Sequence, residues 1–184
     1  MSKVIFRSLN KEPVGFFPKK GIDNLFISLD DINILMTISW EDGYVTKIEL
    51  KKISQTKNVD LCSHQNTIKA IHNFFYQKTP TLLLPFCIHT TKFMKSVYER
   101  VIKIPFAKTM SYKEISDTLK TSPRAIGQAM KRNPIPLIIP CHRVVGKKGQ
   151  LTGFSSGLKI KEKLLNFEKS LIIDIKIKAN TKGR

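Results

Sequence analysis

The sequence predicts an α/β protein in which a small N-terminal domain, made of an antiparallel sheet and a helix, precedes a mainly helical C-terminal domain. Three observations predict this arrangement. Alternating and β-branched segments are confined to the first half, most amphipathic helical patterns lie in the second half, and the proline-bounded residues 79–85 separate the two. We therefore expect domains at residues 1–88 and 89–170, followed by a basic tail at residues 171–184.

Strand signals open the chain. Four segments fit strands by alternation or by β-branched composition: residues 3–7, 25–28, 32–40 and 44–50. Asp42-Gly43, before the last of them, is a typical hairpin turn. Alternation places four side chains of the last segment on one face: Tyr44, Thr46, Ile48 and Leu50. These segments predict a small antiparallel sheet.

A helix follows from about residue 67, and its apolar face predicts packing on the sheet. That face consists of Ile68, Ile71, Phe74 and Phe75. The same half holds most of the histidines and cysteines of the chain, namely His64, His72, His89, Cys62 and Cys87. Their spacings match no compact zinc pattern, so we predict no metal site.

Composition restricts the class of protein. The 184 residues are 41% apolar, as in a globular protein, but contain no run long enough to span a membrane and no signal peptide. We expect a soluble, cytoplasmic protein without a disulfide framework, since the three cysteines form no CxxC pair. The net charge is +18, of which +15 falls on residues 92–184. This asymmetry predicts a surface on the second half that binds a polyanion such as nucleic acid.

Three helices open the second domain. The first, residues 92–103, has an apolar face composed of Phe93, Met94, Val97, Tyr98, Val101 and Ile102. The second begins at Ser111, which forms a capping box with Glu114. The third begins at Ser122, with proline at the next position. The last two helices and their short turn predict a helix-turn-helix.

The third helix separates apolar from polar side chains. Its inner positions are Ala125, Ile126, Ala129 and Met130, and its outer positions are Arg124, Gln128, Lys131 and Arg132. A basic outer face on small residues suits close approach to DNA. The helix-turn-helix is therefore a candidate DNA-binding element.

The candidate nucleophile lies in residues 133–145. Two prolines prevent a continuous helix, and a short apolar run predicts a buried extended approach to Cys141. The next two residues, His142 and Arg143, are groups that can raise the thiolate fraction of a cysteine. A lone cysteine after an apolar run is more often a small buried hydrophobe, so the assignment depends on the longer motif.

A glycine-rich loop, residues 146–157, and a last helix, residues 158–169, follow the cysteine. In the loop, the glycines permit close approach of a ligand and Phe154 offers a flat face for stacking. In the helix, Glu168 shares a face with leucines, which is unusual for a solvated acid. We expect residues 171–184 to alternate briefly and to end as a basic, mobile tail.

Motifs between Phe93 and Glu168 occur in the order found in the O6-alkylguanine-DNA alkyltransferases. They are the capping turn, the helix-turn-helix, Asn-Pro-x-Pro, Pro-Cys-His-Arg-Val, the glycine-rich loop and Lys-Glu-x-Leu-Leu-x-x-Glu. The chain thus resembles this family. The resemblance implies a ribonuclease-H-like N-terminal domain and a C-terminal domain with a winged helix-turn-helix. It also implies a monomer that acts on double-stranded DNA without a cofactor.

The resemblance implies a reaction and its catalytic residues. The protein would transfer the alkyl group of O6-alkylguanine irreversibly to itself in a single turnover, with O4-alkylthymine as a second candidate substrate. Cys141 would be the nucleophile, His142 would withdraw its proton through a water, and Glu168 would orient the imidazole. Asn133 would brace the turn around the site, and Tyr112 would help displace the nucleotide and contact the purine.

The resemblance also implies how DNA is held. The base would be flipped from the minor-groove side, and Arg124 would enter the stack in its place. Further DNA contacts would come from Tyr112, Ser122, Ala125, Gln128 and Lys131. The base pocket would comprise Met130, Val144, Gly153, Phe154, Ser155 and Lys161.

Some positions depart from the family pattern. Phe154 replaces a tyrosine, and Ser156 and Ala107 each replace a glycine. Lys163 and Phe167 stand where the family has tryptophan and histidine. These differences bear on the rate and on the range of alkyl groups, whereas the nucleophile and its partners are retained.

Three other functions fit parts of the pattern. A lesion-binding module of the alkyltransferase-like kind would share this architecture without a competent thiol, and Cys141 argues against it. A transcription regulator would use the helix-turn-helix but would leave the glycine-rich loop and Glu168 unexplained. A cysteine hydrolase is disfavoured because nothing in the sequence suggests an oxyanion hole.

Overall fold

The computed structural model describes residues 3–7, 20–54, 64–75 and 82–181. Its strands are β1 (Lys3–Arg7), β2 (Lys20–Leu29), β3 (Ile32–Glu41), β4 (Tyr44–Ile53), β5 (Cys87–Thr91), β6 (Met110–Ser111) and β7 (Val144–Val145). Its helices are α1 (Gln65–Phe75), α2 (Lys92–Ile102), α3 (Tyr112–Thr118), α4 (Pro123–Lys131) and α5 (Leu158–Thr181), and a 3-10 turn spans Cys141–Arg143. The predicted α/β class is confirmed. None of the described helices has the length and apolar character needed to cross a lipid bilayer.

Strands β2, β3 and β4 form the predicted antiparallel sheet in chain order. The hairpin residues Asp42 and Gly43 have φ angles of 49° and 78°, the left-handed values of the type I′ turn that Asp-Gly favours. A second tight turn joins β2 to β3, where Asp30 has a φ angle of 50°. The residues of the two turns therefore determine where both hairpins form.

A β-bulge changes which side chains of β4 face the core. The register between β3 and β4 shifts and leaves Thr46 without a paired residue. Val45 is therefore fully buried, whereas Tyr44 and Thr46 are only partly buried. The predicted inward face is wrong at these two positions, but Ile48 and Leu50 are buried as predicted.

Helix α1 is fixed to the sheet by a buried carboxylate as well as by its apolar face. Asp23 of β2 accepts hydrogen bonds from Thr67 Oγ1 (2.7 Å) and Trp40 Nε1 (2.9 Å). The backbone N–H of His64, just before the helix, donates to the same carboxylate at 3.1 Å. Ile68, which the pattern predicts to be buried, is 44% exposed. The helix is rotated so that Thr67 faces Asp23 instead.

No group of three His, Cys, Asp or Glu side chains able to hold a metal ion occurs among the described residues. His64 contacts Asp23, with 2.9 Å between Nδ1 and Oδ1. Cys62 lies outside the described ranges.

Strand β5 pairs antiparallel with β1 and leads directly into α2. The sequence pattern does not predict β5, and residue 88, the expected end of the first domain, lies within it. Residues 79–81 of the expected linker lie outside the described residues. Helix α2 buries Val97, Tyr98 and Val101, whereas Phe93 and Ile102 of its predicted apolar face are 40% and 37% exposed.

Helices α3 and α4 form the predicted helix-turn-helix. Ser111 Oγ accepts the N–H of Glu114 (3.1 Å), and Glu114 Oε2 accepts the N–H of Ser111 (2.7 Å), which completes the capping box. Ser122 caps α4 by accepting the N–H of Ala125 at 3.2 Å. Strand β6 precedes α3 and pairs in parallel with β7, which follows the 3-10 turn. This pairing ties the helix-turn-helix to the segment that contains Cys141.

Helix α5 is longer than predicted. It continues to Thr181 instead of ending near residue 169, so most of the expected tail is helical. No proline or glycine occurs between residues 158 and 181, and nothing in the chain therefore ends the helix earlier. The expected mobile end of the chain, residues 182–184, lies outside the described residues.

Helix α5 also contacts the N-terminal half at two places. The ring of Phe167 lies 6.2 Å from that of Phe74 and 5.3 Å from that of Phe75, both on α1. Lys163 forms ion pairs with Asp30 (3.1 Å) and Asp31 in the turn between β2 and β3. The helix that supplies Glu168 is thus held against both the sheet and α1.

Candidate active site

A tight turn braced by Asn133 holds Cys141. Asn133 Nδ2 donates to the carbonyl of Ile139 (2.9 Å) and to Cys141 Sγ (3.1 Å). Its Oδ1 accepts the N–H of Ile135 at 3.1 Å. Within the turn, Leu137 has a φ of 75°, a left-handed value that a bulky side chain rarely adopts. Such strain is typical of functional sites, where surrounding contacts hold an unfavourable conformation.

The thiol of Cys141 is buried, with only 3% of the residue exposed. Burial raises its pKa to about 11, although the hydrogen bond from Asn133 and the positive charge of Lys161 oppose the rise. The expectation that neighbouring groups increase the thiolate fraction does not hold for the resting thiol. The sulfur is therefore protonated at neutral pH and requires a base to react as a nucleophile.

Glu168 of α5 joins the two residues that follow the cysteine. Its Oε1 lies 2.8 Å from His142 Nε2 and 2.8 Å from a terminal nitrogen of Arg143. The Nε of Arg143 lies 3.0 and 3.1 Å from the two carboxylate oxygens, and the N–H of Ala107 donates to Oε2 at 2.8 Å. Burial alone would raise the pKa of Glu168, but the hydrogen bonds from His142 and Arg143 and the positive charge of Arg143 outweigh it and lower the pKa.

His142 keeps one ring nitrogen available. An ionised carboxylate only accepts hydrogen bonds, so Nε2, which faces Glu168, carries the proton. The buried Nδ1 has no hydrogen-bond partner among the described residues. Burial lowers the pKa of His142, and the charges of Arg143 and Lys161 add to this effect against that of Glu168. The imidazole is therefore neutral at neutral pH, with a lone pair on Nδ1.

Lys161 fastens the glycine-rich loop to the active-site segment. The side chain is fully buried, and Nζ donates to the carbonyls of Val144 (2.5 Å), Thr152 (2.8 Å) and Gly153 (3.4 Å). Burial lowers the pKa of Lys161 to about 8. The hydroxyl of Tyr112 donates towards the same Thr152 and Gly153 carbonyls at 3.4 Å. Lys161 and Tyr112 together fix the loop over the cysteine.

A cavity of about 720 Å³ opens between α3, α4 and the glycine-rich loop. Its wall is formed by Tyr112, Pro123, Arg124, Gly127, Met130, Lys131, Cys141, Thr152, Gly153, Phe154 and Ser155. The lining combines the reactive sulfur with aromatic rings, a methionine and two exposed basic side chains. This combination suits a flat, uncharged ring attached to an anionic backbone.

The structure brings the predicted catalytic side chains together. Cys141 and Tyr112 line the cavity. Asn133, His142 and Glu168 are buried behind them and linked by hydrogen bonds to the cysteine segment or to each other. Glu168 contacts His142, and Asn133 contacts Cys141, while the roles of these residues in a reaction stay predictions.

The predicted pocket and DNA-contact residues occupy three locations. The cavity wall includes Met130, Gly153, Phe154, Ser155, Arg124 and Lys131. Val144 and Lys161 are buried behind it, where Lys161 holds the carbonyl of Val144. Ser122, Ala125 and Gln128 lie on α4 or at its N-cap, outside the cavity wall. DNA contact by these three residues stays a prediction.

Sequence reasoning missed two contributors to the site. The contacts of Arg143 with Glu168 could be foreseen only from the fold, since 25 residues separate the two. The backbone N–H of Ala107 has a signal in the sequence, because Ala107 stands where the resembled family has glycine. Its φ of 55° explains that preference, since glycine adopts left-handed backbone without strain.

Comparison with known proteins assigns the chain to a family. The model of the 6-O-methylguanine DNA methyltransferase DNA-binding domain matches residues 92–170. A methylated-DNA–protein-cysteine methyltransferase of Saccharolobus solfataricus is 38% identical over 160 residues, which are 87% of this chain and 93% of the relative. The chain belongs to the methylated-DNA–protein-cysteine methyltransferase family.

Solved structures of related proteins extend the similarity to the N-terminal half of this methyltransferase. Mycobacterium tuberculosis OGT in complex with DNA has a TM-score of 0.68 and 27% identity, over 82% of this chain and 93% of that one. An O6-methylguanine DNA methyltransferase from Methanococcus jannaschii has a TM-score of 0.57 and 29% identity, over 78% and 92% of the two chains. The resemblance inferred from the motifs is therefore confirmed.

Proposed function

We propose that this methyltransferase repairs O6-alkylguanine in duplex DNA by moving the alkyl group irreversibly to Cys141. The observation that carries the proposal is the thiol itself, which faces a cavity bordered by a helix-turn-helix and is followed by a neutral histidine with a free ring nitrogen. The high basic charge of the second half supports a DNA partner. O4-alkylthymine is a second candidate, because its alkyl carbon has the same kind of leaving group.

The burial of the thiol requires the damaged base to leave the duplex. O6 of guanine lies on the edge that pairs with cytosine, so a sulfur that is 3% exposed can reach the alkyl carbon only in a flipped nucleotide. Arg124 is exposed at the start of α4 and also lines the cavity. This position suits a side chain that fills the gap left in the stack. Lys131, at the other end of α4, suits a contact with a phosphate of the flipped nucleotide.

The chemical step is a displacement at the alkyl carbon. His142 Nδ1 accepts the thiol proton through a water as the sulfur approaches the carbon. A sulfur–carbon bond forms, the carbon–O6 bond breaks, and its electron pair passes to the guanine ring. The ring takes up a proton from water, and the imidazolium of His142 returns its proton to water. Asn133, 3.1 Å from the sulfur, stabilises the negative charge that develops there before bond formation. The buried thioether has no easy leaving path, so each monomer acts once.

Mass spectrometry tests the proposal directly. Intact protein incubated with excess duplex carrying O6-methylguanine should gain the mass of one methyl group in place of one hydrogen. The gain should stop at one equivalent and map to the peptide that contains Cys141. An unmodified duplex of the same sequence serves as control. Binding to the lesion duplex without any mass change would contradict the proposal and favour the lesion-binding module.

The proposed role of Arg124 predicts a defect in transfer from duplex DNA. Arg124→Ala should lower the single-turnover rate at saturating duplex by about 10-fold or more, because an unfilled gap disfavours the flipped base. Transfer from a free O6-alkylguanine base should change little, since no stack has to be opened. Arg132→Ala is the matched control, because it removes one exposed positive charge from the C-cap of the same helix, outside the cavity wall. Equal duplex rates in the two variants would contradict the role of Arg124.

A further inference from the structure

Arg143 is fully engaged with the same carboxylate as the base. Its Nε and one terminal nitrogen contact Glu168 at 2.8 to 3.1 Å, and the other terminal nitrogen donates to the carbonyl of Ile104 at 2.8 Å. Its guanidinium lies 5.5 Å from the centre of the Phe106 ring. Only 7% of its side chain is exposed. The resemblance to known alkyltransferases assigns this arginine no role in the reaction.

The shared oxygen brings the guanidinium close to the imidazole. His142 Nε2 and the terminal nitrogen of Arg143 are each 2.8 Å from Glu168 Oε1, so they are no further apart than twice that distance. A carboxylate in contact with an imidazole alone favours the imidazolium form, which has no lone pair to accept a proton. A second cation on the same carboxylate removes most of that preference. The charge of Glu168 is therefore balanced without protonation of His142.

We propose that Arg143 is a positioning residue that keeps His142 neutral and protonated on Nε2, so that Nδ1 remains a proton acceptor for Cys141. This inference rests on the proposed transfer of an alkyl group to Cys141. In that reaction, Glu168 and Arg143 would have separate roles. Glu168 orients the imidazole ring through one hydrogen bond, whereas the positive charge of Arg143 compensates the negative charge of the Glu168 carboxylate.

The charged groups around His142 either favour or oppose its protonated form. From α5, Glu168 favours the imidazolium, and Lys161 opposes it. Arg143, the next residue in the chain, opposes the imidazolium form, and burial of the ring also opposes it. Cys141 is uncharged at rest. Arg143 is the cation that contacts Glu168 directly, so its removal should affect the balance most.

If Arg143 had only a structural role, its removal would have a different effect. The contacts with Ile104 and Phe106 fix the loop between α2 and β6, and their loss would reduce stability without changing the protonation of His142. The pH dependence of the transfer rate separates the two roles. A buried histidine that must be neutral produces an acid limb, and the midpoint of that limb follows its protonation.

The wild-type protein provides the first test. Nitrogen-15 NMR of the four histidines, assigned by single substitutions of the other three, should show His142 as the neutral Nε2–H tautomer at neutral pH, with an imidazolium form appearing only at lower pH than for an ordinary histidine. A spectrum in which His142 is an imidazolium at neutral pH, or carries its proton on Nδ1, would overturn the proposal. This measurement requires no transfer reaction and no change at the site.

Variants at position 143 provide the second test. Single-turnover transfer is measured against pH with duplex in excess. Arg143→Gln should move the midpoint of the acid limb upwards by about 1 pH unit, because a positive charge near His142 is lost. Arg143→Lys should restore most of that shift, and Lys103→Gln, which removes an exposed charge near the end of α2, should cause none. Thermal unfolding of each variant shows whether it is folded. If Arg143→Gln is unfolded, the proposal is tested by the nitrogen-15 NMR spectrum of the wild type and by the pH dependence of transfer in Arg143→Lys.

The outcomes separate the inference from the proposed function. An unshifted acid limb in folded Arg143→Gln, with methyl transfer to Cys141 intact, would overturn the role of Arg143 and leave the proposed function standing. Absence of transfer in the wild type would contradict the proposed function, whatever the protonation of His142. A shift in Arg143→Gln that Arg143→Lys does not restore would assign the effect to geometry and also overturn the inference.

Discussion

Cys141→Ala should abolish alkyl transfer completely while DNA binding is retained. Among the described residues that line the cavity, Cys141 has the side chain best suited to attack an alkyl carbon, because sulfur is intrinsically very nucleophilic. It contributes no charge to the surface, since its pKa is raised by burial to about 11. The fold should also persist, because Asn133 keeps its hydrogen bonds to Ile139 and Ile135. We expect a loss in the free energy of unfolding of about 1 kcal/mol.

The matched control for this variant is Cys87→Ala. Cys87 is a partly buried cysteine on β5 and is not part of the cavity wall. This variant should accept one methyl group at the wild-type rate. Both variants should bind duplex DNA with wild-type affinity and with the same steep dependence on salt. Residual transfer in Cys141→Ala, or loss of transfer in Cys87→Ala, would contradict the assignment of the nucleophile.

Features specified by neighbouring residues could be predicted from the sequence. Asp42-Gly43 marks a hairpin, and Ser111 with Glu114 marks the start of a helix, because each signal acts over two to four residues. The bulge in β4 has no such signal. Beside the bulge, Val45 forms a β-bridge with Phe86, a partner that is distant in the chain. The rotation of α1 likewise depends on a partner, the buried Asp23, from a distant strand.

In the candidate site, too, some features follow from neighbouring residues and others depend on residues distant in the chain. The positions of Cys141 and His142 follow from one continuous motif. The raised pKa of the thiol does not, because burial outweighs the hydrogen bond from Asn133 and the positive charge of Lys161. The resemblance predicted that Glu168 orients His142, but the contact of Arg143 with the same carboxylate required the path of α5 to be known. Sequence reasoning therefore predicted the members of the candidate site but not their protonation states.

Glu168→Gln should impair both stability and transfer, and it has the largest expected effect of any change that leaves the nucleophile in place. The guanidinium of Arg143 would lose a buried anion, and removing one partner of such a pair costs about 3 kcal/mol or more in the free energy of unfolding. The amide of glutamine can also donate to Nε2 of His142, which would move the ring proton to Nδ1. We expect the single-turnover rate to fall by about 10²- to 10⁴-fold.

The pH dependence of stability gives this prediction an independent check. Burial would raise the pKa of Glu168, but the hydrogen bonds from His142 and Arg143 and the charge of Arg143 lower it, so the carboxylate stabilises the wild type above the ordinary carboxyl pKa. That contribution disappears as the pH falls through the lowered pKa. Chemical unfolding between about pH 3 and 7 should therefore show a weaker acid dependence in Glu168→Gln than in the wild type.

Glu162→Gln is the matched control, since it makes the same change on the same helix at an exposed position. Its stability and transfer rate should remain at wild-type values, because an exposed ion pair contributes little. An unchanged transfer rate in folded Glu168→Gln would show that His142 does not depend on the carboxylate for its tautomer. The order of acid, base and nucleophile would then have to be abandoned, although Cys141 would remain the acceptor of the alkyl group.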